Sequence, residues 1–134
     1  MSKLEETINE LNYDAHGLVP AVIVDADSKQ VLMVAYMNAT ALRETVRTGK
    51  THFWSRSRRK YWMKGESSGH TQDVRGVYTD CDRDTVLIEV TQHGAACHEG
   101  YYSCFYRRLS EAGDWEVVAE RVFDPGTVYG QKSR

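Results

Sequence analysis

Val19-Pro20-Ala21-Val22-Ile23-Val24, then Asp25-Ala26-Asp27-Ser28-Lys29, then Val31-Leu32-Met33-Val34-Ala35-Tyr36 follow one another early in the chain. Two apolar runs of strand length, separated by a cluster of turn residues, predict a β-hairpin. Immediately downstream, Asn38 can cap a helix, and Gly49 supplies a stop signal. A helix is therefore expected through about Thr48, with Leu42 and Val46 turned inward. Upstream, the spacing of Leu4, Ile8 and Leu11 predicts a short amphipathic helix over residues 3–12.

Beyond the hairpin and helix, Thr51 to Ser55 starts a third strand. Val74–Thr79 and Thr85–Val90 read as two more, flanking a triplet of aspartates. Gly94 to Gly100 is a loop, and short strands are expected at Ser103–Leu109 and near Trp115–Val122. The tail from Asp124 is polar and expected to be irregular. No repeat, low-complexity tract or linker interrupts residues 1–134, which read as one domain. The fold class expected is α+β: a compact, largely antiparallel sheet with few helices.

Hydrophobic residues make up 41% of the 134 and charged residues 27%, the balance of a globular domain with a real core. A formal charge of −2 argues against a general polyanion binder. The N-terminus lacks an apolar signal segment, and no stretch approaches the ~18 apolar residues of a membrane span. A cytoplasmic protein without a membrane partner is expected. In a reducing compartment, three cysteines read better as metal ligands or a reactive thiol than as disulfides.

Those cysteines carry the chemistry. Cys81 lies within Asp80-Cys81-Asp82-Arg83-Asp84, Cys97 opens Cys97-His98-Glu99-Gly100, and Cys104 follows Ser103. Three thiolates suit a zinc ion that keeps a fourth position for water, with His98 as the natural general base. The competing reading is three unrelated buried cysteines, because there is no paired C-x-x-C. Asp80, Asp82 and Asp84 would share one face of an extended segment and repel one another unless a cation such as Mg²⁺ intervened. A solvated turn is the alternative. An extended backbone would send Cys81 to the opposite face, so either the two metal sites lie on two sides or the chain bends.

Residues 55–64 hold five cations (Arg56, Arg58, Arg59, Lys60 and Lys64) and no acid. With Ser55, Ser57, Ser67 and Ser68 they offer donors for phosphate, and Trp54, Tyr61 and Trp62 could stack on a base. The same run reads also as a solvated face, or as a single-strand nucleic-acid groove, which the acidic overall balance disfavours. His16, His52 and His93 read as structural or surface residues. His70 ends the small-residue loop that starts at Gly65.

Phe53-Trp54-Ser55-Arg56-Ser57-Arg58, Lys64-Gly65-Glu66-Ser67-Ser68-Gly69, the Asp80–Asp84 block, Ala96-Cys97-His98 and Ser103-Cys104-Phe105-Tyr106, in that order, resemble the phosphoribosyl-AMP cyclohydrolases of histidine biosynthesis. The resemblance runs from about Gly17 to Leu109, and it is to the stand-alone form rather than the fusion with a pyrophosphohydrolase domain. It implies a homodimer with active sites at the subunit interface. Cys81, Cys97 and Cys104 fall at the zinc ligands, from one subunit or both, and Asp80, Asp82 and Asp84 at the magnesium ligands. His98 falls at a catalytic histidine. Trp54, Ser55, Arg56, Ser57, Arg58, Lys64, Ser67, Ser68 and His70 are the expected substrate-binding residues, with Arg56, Arg58, Lys64 and the serines on the phosphates.

The substrate so implied is 1-(5-phosphoribosyl)-AMP, whose N1 alkylation leaves C6 of the adenine electron-poor. Water activated at zinc with help from His98 would add to C6, and the N1–C6 bond would break to leave a carboxamide. A zinc nucleoside deaminase also attacks C6, but its H-x-E and P-C-x-x-C signatures are missing here. A non-catalytic nucleotide-binding module closed by zinc is the other rival; it predicts a fold that collapses under chelation.

Overall fold

The computed structural model describes residues 2–128. Strand β1 (Val19–Asp25) and strand β2 (Val31–Met37) form the expected antiparallel hairpin, with Ala21 opposite Ala35 and a bulge between Ile23 and Val24. Asp25 closes the turn: its carboxylate accepts from the amides of Asp27 and Ser28, while Lys29 takes a left-handed φ of 66°. Helix α2 (Ala39–Thr48) follows directly. Its cap is the predicted one, because the Asn38 side chain accepts from the amide of Ala41 and Gly49 stops the helix at φ 75°. Leu42 is buried, but Val46 is 41% exposed, which corrects the expectation for that residue. The buried side of α2 passes through Ala41, Leu42 and Thr45 instead.

Strand β5 (Gln72–Thr79) and strand β6 (Val86–Gln92) pair antiparallel across the aspartate turn. Strand β6 then runs parallel to β1, with Val22 opposite Leu87, giving a four-stranded sheet of order β2-β1-β6-β5. The sheet is largely antiparallel, as expected. Its core face follows the two-residue period, with Val19, Ala21 and Ile23 packed beside Val86, Ile88 and Val90. Buried polar side chains at one end are mutually satisfied: Thr51 donates to Gln72 at 2.7 Å, and Gln72 donates to Gln92 at 2.7 Å.

The basic stretch hides an element. Lys60–Met63 is a strand, β4, pairing antiparallel with β3 (His52–Ser55), so that Phe53 faces Trp62 and Trp54 faces Tyr61. Phe53 is wholly buried, with its ring 4.8 Å from that of Trp62. Near the N-terminus, α1 (Lys3–Asn9) is capped by Ser2 and ends three residues before the expected limit. The late strands are also shorter than expected: β7 is Arg107–Leu109 and β8 is Trp115–Val117. Ser103 and Cys104 are committed elsewhere, since the Ser103 hydroxyl and the Cys104 amide donate to Val31 and Leu32 carbonyls on β2. Pro125–Val128 forms a helical turn, α3, where an irregular tail was expected; residues 129–134 of that tail lie outside the described residues. Among the described residues no helix is long and apolar enough to cross a membrane.

Candidate active site

The β3–β4 hairpin and the turn after it form one wall of a cleft of about 480 Å³. Ser55, Arg58 and Lys60 come from the hairpin, Lys64, Ser67 and Ser68 from the turn, and His98 from across the opening. The turn is tight because Gly65 sits at φ 84°, where a Cβ would lie 2.5 Å from the backbone of His70 and Thr71. Glu66 and Met63 close it from both sides: the Met63 amide donates to the Glu66 carboxylate, and the Glu66 amide to the Met63 carbonyl. The result is a concave surface rich in N–H and O–H donors around an apolar floor at Trp62 and Met63, of a size suited to a nucleotide.

Not every expected binding residue reaches this cleft. Trp54, Arg56 and Ser57 line a second depression beside Val34, Ala35 and Tyr36. There the Arg56 guanidinium sits 3.9 Å over the Tyr36 ring, so its planar face is already occupied by an aromatic partner. His70 lines neither surface. Its ring meets Phe123 edge-on at 4.8 Å, and its Nδ1 is buried without a partner among the described residues. The His70 amide still donates to the Ser68 hydroxyl at 3.1 Å, but the ring packs on Phe123 instead of the cleft.

The loop from Gly94 to Gly100 delivers the thiols. The Ala96 amide donates to the Tyr102 carbonyl and the Cys97 amide to that of Tyr101, while the Cys104 amide is held by Leu32. This brings Cys97, which is buried, into electrostatic and hydrogen-bonding range of Cys104. Cys104 keeps an exposed flank, yet packing around its sulfur, followed by the neighbouring Cys97, pushes its thiol up to about 11. A sulfur held neutral by burial beside a second sulfur is suited to a soft cation that both could bind. Cys81, however, is exposed on the β5–β6 turn and joins no such set. Among the described residues, the one group of three metal-competent side chains within 4.8 Å is Asp80, Asp82 and Asp84. One chain therefore assembles two of the three expected zinc ligands.

The aspartates converge by bending rather than by strand alternation. Arg83 takes φ 61°, its amide donates to the Asp80 carbonyl, and the Asp84 amide donates to the Asp80 carboxylate. Asn12 braces the turn from behind, its side chain donating to the Asp82 carbonyl at 2.7 Å. A hydrogen bond with the Asp84 carboxyl, partial desolvation and the charge of its neighbours hold the Asp82 carboxyl above its ordinary value, the direction expected of crowded acids. That crowding, with oxygen donors on three side chains, fits a hard divalent cation.

Several lining residues escaped the sequence reading. Lys60 and Trp62 were named as a phosphate donor and a stacking ring but not among the expected substrate-binding residues, and Met63 was given no role; the strand that places all three, β4, carries charges that mask its alternation. Glu99 and Tyr106 flank the thiols: the Glu99 amide donates to the Cys97 sulfur at 3.4 Å, and Tyr106 is buried with its ring stacked 3.7 Å from Tyr101. Their positions depend on the fold of the loop, and no local pattern announced them.

Comparison with known proteins agrees with this layout. The sequence model of one family, phosphoribosyl-AMP cyclohydrolase, matches residues 33–106, which run from within β2 to just past Cys104. Proteins named phosphoribosyl-AMP cyclohydrolase are similar along nearly the whole chain. The relative from Pelotomaculum thermopropionicum is 57% identical over 93% of this chain and 97% of its own. That from Methanosarcina mazei is 56% identical over 89% and 95%, and that from Haloquadratum walsbyi 55% over 90% and 88%. With a family match over more than half its length and identities of this size, the chain belongs to the phosphoribosyl-AMP cyclohydrolase family and is an enzyme of that family.

Proposed function

We propose that this protein opens the adenine ring of 1-(5-phosphoribosyl)-AMP by hydrolysis of the N1–C6 bond, a step of histidine biosynthesis. The observation that carries the reading is the cleft itself, where Arg58, Lys60, Ser67 and Ser68 face His98, the neighbour of a buried thiol. A doubly phosphorylated nucleotide matches both halves. Arg58, Lys60 and the serines supply charge-assisted and neutral donors for phosphate, and the apolar floor at Trp62 receives the base. Binding energy from these remote contacts orients C6 toward His98.

In the reaction water adds to C6, the N1–C6 bond breaks, and N1 takes up a proton; the exocyclic nitrogen remains on C6 as a carboxamide. His98 accepts the proton of the attacking water and returns it to N1. Cys97, Cys104 and a Cys81 donated by a second copy of this chain would hold Zn²⁺, and Asp80, Asp82 and Asp84 would hold Mg²⁺. Bound there, zinc supplies Lewis acidity that makes a nucleophilic water available near neutral pH. The placement of Cys81 away from the other two thiols supports a homodimer in which each site draws on both chains. Exposed apolar side chains around the thiol region, including Phe105 beside Cys104, give a second copy something to cover.

The test is ultraviolet monitoring of ring opening with the N1-ribosylated nucleotide, with and without a zinc chelator, alongside circular dichroism. Turnover that chelation abolishes while the fold survives is expected. A Cys97→Ala protein that retains turnover without zinc would overturn the assignment, and collapse of the fold under chelation would favour a zinc-closed binding module.

A further inference from the structure

Lys64, expected on phosphate, lines the cleft with its ammonium already engaged by a main-chain carbonyl. It leaves the end of β4, where its amide donates to the carbonyl of the wholly buried Thr51 at 3.1 Å. The half-buried stem then carries the ammonium to the carbonyl of Ala96, the residue before Cys97. Among the described residues no carboxylate forms an ion pair with it.

We propose that Lys64 is a positioning residue for the thiol loop: its ammonium ties the carbonyl of Ala96 and so seats Cys97, the next residue, for the metal. The inference rests on the zinc reading given above and deepens it. Lys64 thus acts on the metal as an outer partner, through its ligands, and phosphate is left to Arg58, Lys60 and the serines.

The experiment compares wild type with Lys64→Met and Lys64→Arg by three readouts. These are hydrogen exchange across residues 95–100 of the metal-free dimer, zinc affinity against a chromophoric chelator, and KM for the nucleotide. Lys64→Met is expected to speed exchange in the loop and weaken zinc by about tenfold to a hundredfold. KM of its zinc-loaded form should stay within about threefold, because no phosphate contact is lost. Lys64→Arg, which keeps the cation, should recover the larger part of the zinc affinity. Wild-type exchange and wild-type zinc affinity in Lys64→Met, with KM raised about tenfold or more, would return Lys64 to the phosphate and overturn the proposal. A wild-type enzyme that turns over without zinc would sink the zinc reading instead, and loop exchange would still decide whether Lys64 holds Ala96.

Discussion

Replacing Gly94 with alanine tests how the thiol loop is seated. Gly94 has φ 69°, and a Cβ there would lie 2.5 Å from Cδ2 and 2.7 Å from Cγ of His70. The ring is also packed edge-on against Phe123 at 4.8 Å, which opposes its movement. Two costs therefore add in Gly94→Ala. The left-handed backbone costs an L-residue about 1–2 kcal/mol, and forcing a methyl against a packed ring costs about 1–3 kcal/mol more. The sum, about 2–5 kcal/mol, corresponds to a fall of roughly 6–20 °C in Tm for a chain of this size. The second cost belongs to His70, so it should vanish when that ring is removed. Urea unfolding of wild type, Gly94→Ala, His70→Ala and the double variant closes a cycle whose coupling should be about 1–3 kcal/mol. If Gly94→Ala costs the same in both backgrounds, within about 0.5 kcal/mol, the ring contact is not what the glycine avoids.

Co-expressed Cys81→Ala and Cys97→Ala chains, each inactive alone, should form mixed dimers with one intact site, recovering about a quarter of wild-type activity; no recovery would place all three thiols in one chain. Asp82→Asn removes one of three crowded carboxylates and should raise Tm without divalent ions, while cancelling the gain from Mg²⁺, which at ten times its Kd is about 1.4 kcal/mol. A Mg²⁺ response unchanged in the variant, read by thermal melts, would remove Asp82 from that site. Hydrogen bonds from His93 and then Lys50 hold the Asp73 carboxyl down at about 2, from an ordinary 3.8. A depressed carboxyl stabilises above its unfolded value, so this contribution is present at neutral pH and lost as pH falls from about 4 toward about 2. Melts of Asp73→Asn over that window should show a shallower loss than wild type. Gln72→Met leaves the Thr51 hydroxyl and the Gln92 side-chain oxygen without the buried partner each has in Gln72 and should cost about 2–4 kcal/mol by urea unfolding; a loss under about 0.5 kcal/mol would mean the network is replaceable.

The hairpin at Val19–Tyr36 and the helix from Asn38 to Gly49 were legible because they are local: strand alternation, turn residues and caps act within a few positions of themselves. The same holds for the sequence blocks that mark the family, since short spacings around Asp80–Asp84 and Cys97–Cys104 survive without any fold. Strand β4 was not legible, because its partner lies in β3 and the charges between them mask the alternation. Long-range contacts decided the rest. The parallel pairing of β1 with β6 joins residues more than sixty apart, and no window of sequence contains both. That pairing, with the seating of Ser103 and Cys104 on β2, brings two sulfurs together and leaves Cys81 on a distant turn. Packing also sends the Lys64 ammonium to the Ala96 carbonyl and the His70 ring to Phe123. Residue types set which chemistry is available, whereas the direction of each side chain follows from packing among segments far apart in the chain.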